Sequence, residues 1–152
     1  MIVVLFGQPH SGKSTIAKVL GNTFNVDGDQ LREVFANKDY SREGRIKNLN
    51  RASDIAHFMN SMGVNVVLSL VYPYKEARDY LNSLTTDVKW IYLTYNGERG
   101  REGFHVKDFD VPSPEEALHI NTSENTFEQT LFLINNYINA EVPSKSTGEN
   151  IF

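Results

Sequence analysis

The 152-residue chain is 40% hydrophobic and 22% charged, with a formal net charge of −4 and no cysteine. That size and composition suit one globular domain with a single core. The acidic balance argues against broad attraction to nucleic acid or anionic membranes, and the lack of cysteine excludes disulfides, thiolate zinc sites and cysteine nucleophiles.

Met1 to Phe6 is an apolar run that predicts a buried strand. It falls far short of the roughly 20 residues a membrane span needs and lacks a signal-peptide layout, so a soluble, cytoplasmic protein without a membrane partner is expected. Gly7-Gln8-Pro9-His10-Ser11-Gly12-Lys13-Ser14-Thr15 follows, and Thr15 to Leu20 reads as a helix. A G-x-x-x-x-G-K-[ST] pattern between a strand and a helix is a phosphate-binding loop, because its backbone N–H groups converge at a helix N-terminus where an anion is favoured. Lys13 is expected on the β- and γ-phosphates of ATP and Ser14 on Mg²⁺.

Gly21-Asn22 stops that helix, and Thr23 to Asp27 alternates as a short strand does. Residues 30–37 look helical, with Leu31, Val34 and Phe35 on one side. Asn37 to Ser41 is turn-like, with Ser41 as a helix entry. From Arg45 to Met62 apolar residues recur at helical spacing, and Gly63 is a C-terminal stop. Val64 to Val71 is nearly continuous and β-branched, the pattern of a parallel strand covered on both faces. Tyr72-Pro73-Tyr74 leads into a helix that runs to about Leu84. Val88 to Tyr95 is a fourth strand, Asn96 to Asp110 is glycine-rich and irregular, and Ala117 to Asn121 is a short fifth strand. Residues 125–138 form an amphipathic helix with Phe127, Leu131, Ile134 and Ile138 inward. The single domain is placed at 1–138, and 139–152 reads as a loose tail.

Strands alternating with helices predict an α/β fold, an open parallel sheet of about five strands with helices on both faces and ligands outside the carboxyl ends of the strands. Asp27 and Asp29 end the second strand, where one carboxylate can orient an acceptor hydroxyl and the other can hold Mg²⁺ through water. We assign Asp29 to the hydroxyl and Asp27 to the metal; an Asp-Gly turn with solvated acids is the alternative. Arg45 and Asn48 are three apart on one helix face and, with Arg32, suit phosphate or sulfate oxygens. A solvated helix face would show the same residues.

Four ordered stretches make the chain resemble the adenylylsulfate (APS) kinases. They are Gly7 to Thr15; Asp27 to Arg32 with Asn37 to Ser41 and Arg45-x-x-Asn48; Ser69-Leu70-Val71-Tyr72-Pro73-Tyr74 with Arg78; and Gly103-Phe104 with Phe109-Asp110-x-Pro112-x-Pro114-Glu115. The resemblance implies a P-loop NTPase-like three-layer fold, ATP and Mg²⁺ as cofactors and a homodimer. It also implies phosphorylation of the ribose 3′-hydroxyl of APS to PAPS, as in sulfate assimilation. It further implies that Arg32, Arg45 and Asn48 hold the phosphosulfate and that Tyr40 and Phe104 sandwich the adenine, with Ser69, Leu70 and Val71 beside the substrate. Tyr72 stands where the family has a serine, and the family's long lid is reduced here to Tyr95 to Glu102, so Arg99 and Arg101 are the candidates to supply its charge. Each arginine alone fits a solvated loop equally well. Two other readings stay open, a kinase for another nucleotide, sugar or polynucleotide end, and a nucleotide-binding protein without catalysis.

Overall fold

The computed structural model describes residues 1–21, 23–97 and 105–140. Five strands, β1 (Ile2–Phe6), β2 (Phe24–Asp27), β3 (Val66–Ser69), β4 (Val88–Thr94) and β5 (Leu118–Asn121), form one sheet in the order β2-β3-β1-β4-β5. Every pairing is parallel, with Val4 opposite Leu68 and Trp90, and Asp27 level with Ser69. The helices are α1 (Lys13–Ala17), α2 (Gly28–Val34), α3 (Arg42–Ser61), α4 (Lys75–Leu84) and α5 (Phe127–Asn139). The expected doubly covered α/β sheet is the fold observed.

Alternation along β1 divides the core in two. Ile2, Val4 and Phe6 face α3 and α4 with Leu49, Ala52, Ala77, Leu81 and Trp90, whereas Val3 and Leu5 face α1 and α5 with Ile16, Ile134 and Ile138. All five β1 side chains are fully buried, which is why the run reads as unbroken apolar sequence. Connections from β1 and β3 leave in opposite directions, so a crevice opens at the carboxyl ends of these adjacent strands. Among the described residues no helix is long and apolar enough to cross a membrane.

Some boundaries and faces differ from the sequence expectation. Helix α1 starts at Lys13 and gives way to turns after Ala17, while α2 begins at Gly28 because the Asp27 carboxylate caps it. In α2 only Leu31 is buried; Val34 is 78% exposed and Phe35 43% exposed, the latter covered by the Arg51 guanidinium 4.4 Å from its ring. On α3 and α5, Phe58, Met62 and Phe127 lie largely outside for the same reason: the sheet covers only a narrow stripe of each helix. Ser41 caps α3 as expected, accepting from the Gly44 N–H.

Gly44 is where α3 meets the Asn37–Ser41 turn. A Cβ there would lie 2.3 Å from the Asp39 carbonyl oxygen and 2.4 Å from its Cγ. Gly44→Ala gains about 1 kcal/mol of helix propensity, but displacing this turn costs roughly 1–3 kcal/mol. Denaturant unfolding is expected to show a net loss of stability; a more stable variant would show that the turn yields freely.

Candidate active site

A cleft of about 870 Å³ opens at the carboxyl ends of β1, β2 and β3. Its walls include Pro9, His10, Gly12, Lys13, Ser14 and Thr15 on one side and Arg32, Tyr40, Arg45 and Asn48 on another, with Asp27, Gly28, Asp29 and Ser69 to Val71 between them. Residues separated by much of the sequence therefore share one cavity, as strand-end placement predicted.

The chain leaves β1 through Gly7 at φ 146°, and a Cβ at that point would come within 2.1 Å of the Leu93 carbonyl oxygen, so glycine is required. The Gly7 N–H donates to the Val71 carbonyl, and the Ser11 carbonyl accepts from the Thr122 hydroxyl, tying the loop to the ends of β3 and β5. Gly12, left-handed at φ 102°, turns the chain into α1. Lys13 folds back over the loop, its ammonium donating to the carbonyls of Gly7 at 3.1 Å and Gln8 at 2.9 Å. Burial lowers its pKa to about 8, opposed by the charges of Asp27 and Asp29. A half-buried ammonium held by two neutral carbonyls and the Ser11 hydroxyl at 3.4 Å, with two carboxylates nearby, suits an incoming polyanion.

Asp27 Oδ1 accepts from the N–H groups of Asp29 and Gln30 at 2.9 and 3.2 Å, so this carboxylate is also the cap of α2. That cap points Asp29 into the cleft from the first turn of the helix. Among the described residues no group of three or more His, Cys, Asp or Glu is assembled for a metal. The donor set of Ser14 and one carboxylate fits Mg²⁺, which takes most of its ligands from phosphates and water.

On the other wall Arg32 Nη1 donates to the carbonyls of Asn37 and Asp39 and to Asn37 Oδ1, while its guanidinium lies 4.0 Å from the centre of the Tyr40 ring. Arg32 thus braces the Asn37–Tyr40 turn and lies over the Tyr40 ring, contacts the sequence did not reveal. Arg45 Nε donates to the Tyr40 carbonyl at 2.8 Å, so both arginines fix the residue expected to stack on a base. Asn48 is 4% exposed, and its Oδ1 has no hydrogen-bond partner. A buried, unpaired amide oxygen in a cavity wall is costly unless a ligand or water completes it.

Two side chains of the expected site residues bond within the protein. The Ser69 hydroxyl donates to Asn25 Oδ1 at 2.9 Å. The Gln8 amide does not face the main cleft; it makes a two-way bridge to the Val106 backbone, at 2.8 and 2.9 Å, and borders a smaller cavity with Tyr92, Thr94 and His105. Leu49 and His105 line the main cleft without having been assigned to the site from the sequence, and Pro73, quoted there only as part of a longer stretch, joins them. Arg99, Arg101 and Phe104, and residues 141–152 of the expected tail, lie outside the described residues.

Comparison with known proteins identifies the family and the fold. The chain is 28% identical over 158 residues to the cytidine diphosphoramidate kinase of Campylobacter jejuni, covering 88% of this chain and 93% of that protein. It is 29% identical over 152 residues to a probable adenylyl-sulfate kinase of Pseudomonas aeruginosa, covering 82% and 71% of the two chains. Its fold matches that of the Mycobacterium tuberculosis APS kinase CysC in complex with AMPPNP and APS, with a TM-score of 0.69, 22% identity, and coverage of 88% and 94%. Residues 1–98 match the family described as adenylylsulphate kinase. The chain belongs to the adenylylsulfate kinase family and has the α/β architecture of a P-loop kinase.

Proposed function

We propose that this protein transfers the γ-phosphoryl group of ATP to the ribose 3′-hydroxyl of a nucleotide whose 5′-phosphate bears a second tetrahedral group, with adenylylsulfate as the acceptor and PAPS as the product. The observation that carries this reading is the single cleft in which the phosphate loop, Asp29 and the Arg32–Tyr40–Arg45–Asn48 wall face one another. A second reading, cytidine diphosphoramidate as the acceptor, is supported by alignment over nearly the whole length of a relative with that activity.

In this reading the amides of the loop and Lys13 bind the β- and γ-phosphates and offset charge developing on the transferred group. Mg²⁺, held by Ser14 and through water by Asp27, would neutralise charge on the donor phosphates. Asp29 orients the acceptor hydroxyl and takes its proton, while Arg45 and Asn48 bind the 5′-substituent and Tyr40 stacks on the base. Arg99 and Arg101 are proposed to supply positive charge to the transferred group, and Phe104 to be the second aromatic on the base. Catalysis is then positioning and electrostatics, since phosphoryl transfer asks for little covalent chemistry from the protein.

Coupled ADP release with each acceptor tests the assignment. Turnover is expected with adenylylsulfate, or with cytidine diphosphoramidate under the second reading; no turnover with either would sink the proposal. Lys13→Ala and Asp29→Asn are each expected to lower kcat by about a hundredfold or more.

Lys13 also predicts a pH effect. Its pKa is about 8 in the folded chain against 10.5 ordinarily, so between these values the unfolded chain binds the extra proton and stability rises with pH. A bound triphosphate supplies the missing counter-charge and raises the pKa again. Calorimetry of ATP binding near pH 8, in buffers of different ionisation enthalpy, is expected to show proton uptake that Lys13→Met lacks. Equal uptake in both proteins would remove Lys13 from the phosphate site.

A further inference from the structure

We propose that Tyr72, buried beneath the cleft, is a positioning residue that holds the acceptor wall at a fixed distance from the phosphate loop. The inference rests on the kinase reading above and adds a residue that does not reach the ligand.

Tyr72 is fully buried and adopts φ 43°, a left-handed conformation that a bulky side chain occupies only when its surroundings impose it. Four contacts hold it there. The phenol oxygen lies 2.9 Å from the Ser53 hydroxyl and donates to the Leu49 carbonyl at 3.4 Å, both on α3. The ring meets Trp90 of β4 edge to face at 5.3 Å. The Tyr72 carbonyl accepts from Arg78 Nη1 at 2.8 Å. Desolvation pushes the phenol pKa up, so the hydroxyl remains a donor throughout the working pH range.

The neighbours of Tyr72 explain why this anchoring matters to the site. Val71 takes the Gly7 N–H on its carbonyl at 3.2 Å, joining the segment to the start of the phosphate loop. Pro73 accepts from the Asp110 N–H at 2.7 Å, and both Val71 and Pro73 line the cleft. On the far side, Leu49 follows Asn48 and lies one turn beyond Arg45. The phenol therefore fastens the helix that presents Arg45 and Asn48 to the strand exit that contacts Gly7. A serine at this position has too short a side chain to span from the strand exit to α3, so the link depends on the length of the tyrosine. Positioning of this kind acts on one substrate, because α3 borders the acceptor side while Lys13 and Ser14 hang on β1.

Tyr72→Phe keeps the ring and removes only the link to α3. With the acceptor that the wild-type protein turns over, KM for the acceptor is expected to rise about fivefold or more, with KM for ATP within about twofold. Ser53→Ala should move the same constant in the same direction by less, since the Leu49 contact survives. A lower melting temperature with an unchanged acceptor KM, or equal rises in both KM values, would overturn the proposal. If the wild-type chain turns over neither acceptor, the functional reading fails and amide hydrogen exchange decides the positioning role. Faster exchange in residues 45–52 of Tyr72→Phe, with residues 13–17 unchanged, supports it; unchanged exchange in 45–52 refutes it.

Discussion

The close passage of the chain between β4 and β3 as it leaves β1 governs the rest of the molecule. At Gly7 there is no room for a side chain against the Leu93 carbonyl, and the same residue donates its N–H to Val71. The loop is thereby hydrogen-bonded to one neighbouring strand exit and packed without clearance against the other before it reaches Lys13. A loop suspended only at its ends would have to be ordered by its ligand, at an entropic cost for every residue fixed. Here three strand ends share the task, through Val71, Leu93 and the Thr122 hydroxyl.

The electrostatics of the cleft are left incomplete by design of its geometry. Lys13 is desolvated, and the carbonyls that receive its protons only partly replace the water it has lost, which is why its pKa falls even with two aspartates in range. Across the cavity Asn48 has an unpaired Oδ1, and Arg32 spends Nη1 on its own turn. Desolvation that the protein does not repair internally is a source of ligand affinity, because a binding partner that supplies the missing contacts recovers that energy.

The fold was legible because its signals are local and repetitive. The unbroken β1 run, the β-branched β3 run and the helical period of α3 each state how much of the element is covered. The phosphate loop was legible because the strand and helix around it give the glycine spacing its meaning. What escaped the sequence were side-chain commitments decided by tertiary neighbours. Gln8 sits inside the motif yet bonds Val106, 98 residues away. Ser69 answers to Asn25, and Arg32 answers to the turn beside Tyr40. The outward position of Val34 and Phe127 was missed for a related reason, since periodicity reports an apolar side chain but not the width of the surface waiting for it.

Asp27 shows what sharing one residue between fold and chemistry entails. Asparagine, serine or threonine would cap α2 nearly as well but would bring no negative charge to the cleft. Glutamate would keep the charge, but its longer side chain is a poor match for the two N–H groups that Asp27 Oδ1 receives. Aspartate alone meets both demands. Helix stability and the charge of the cleft are therefore coupled through a single carboxylate: a substitution that removes the charge can spare the cap, and one that lengthens the side chain disturbs it.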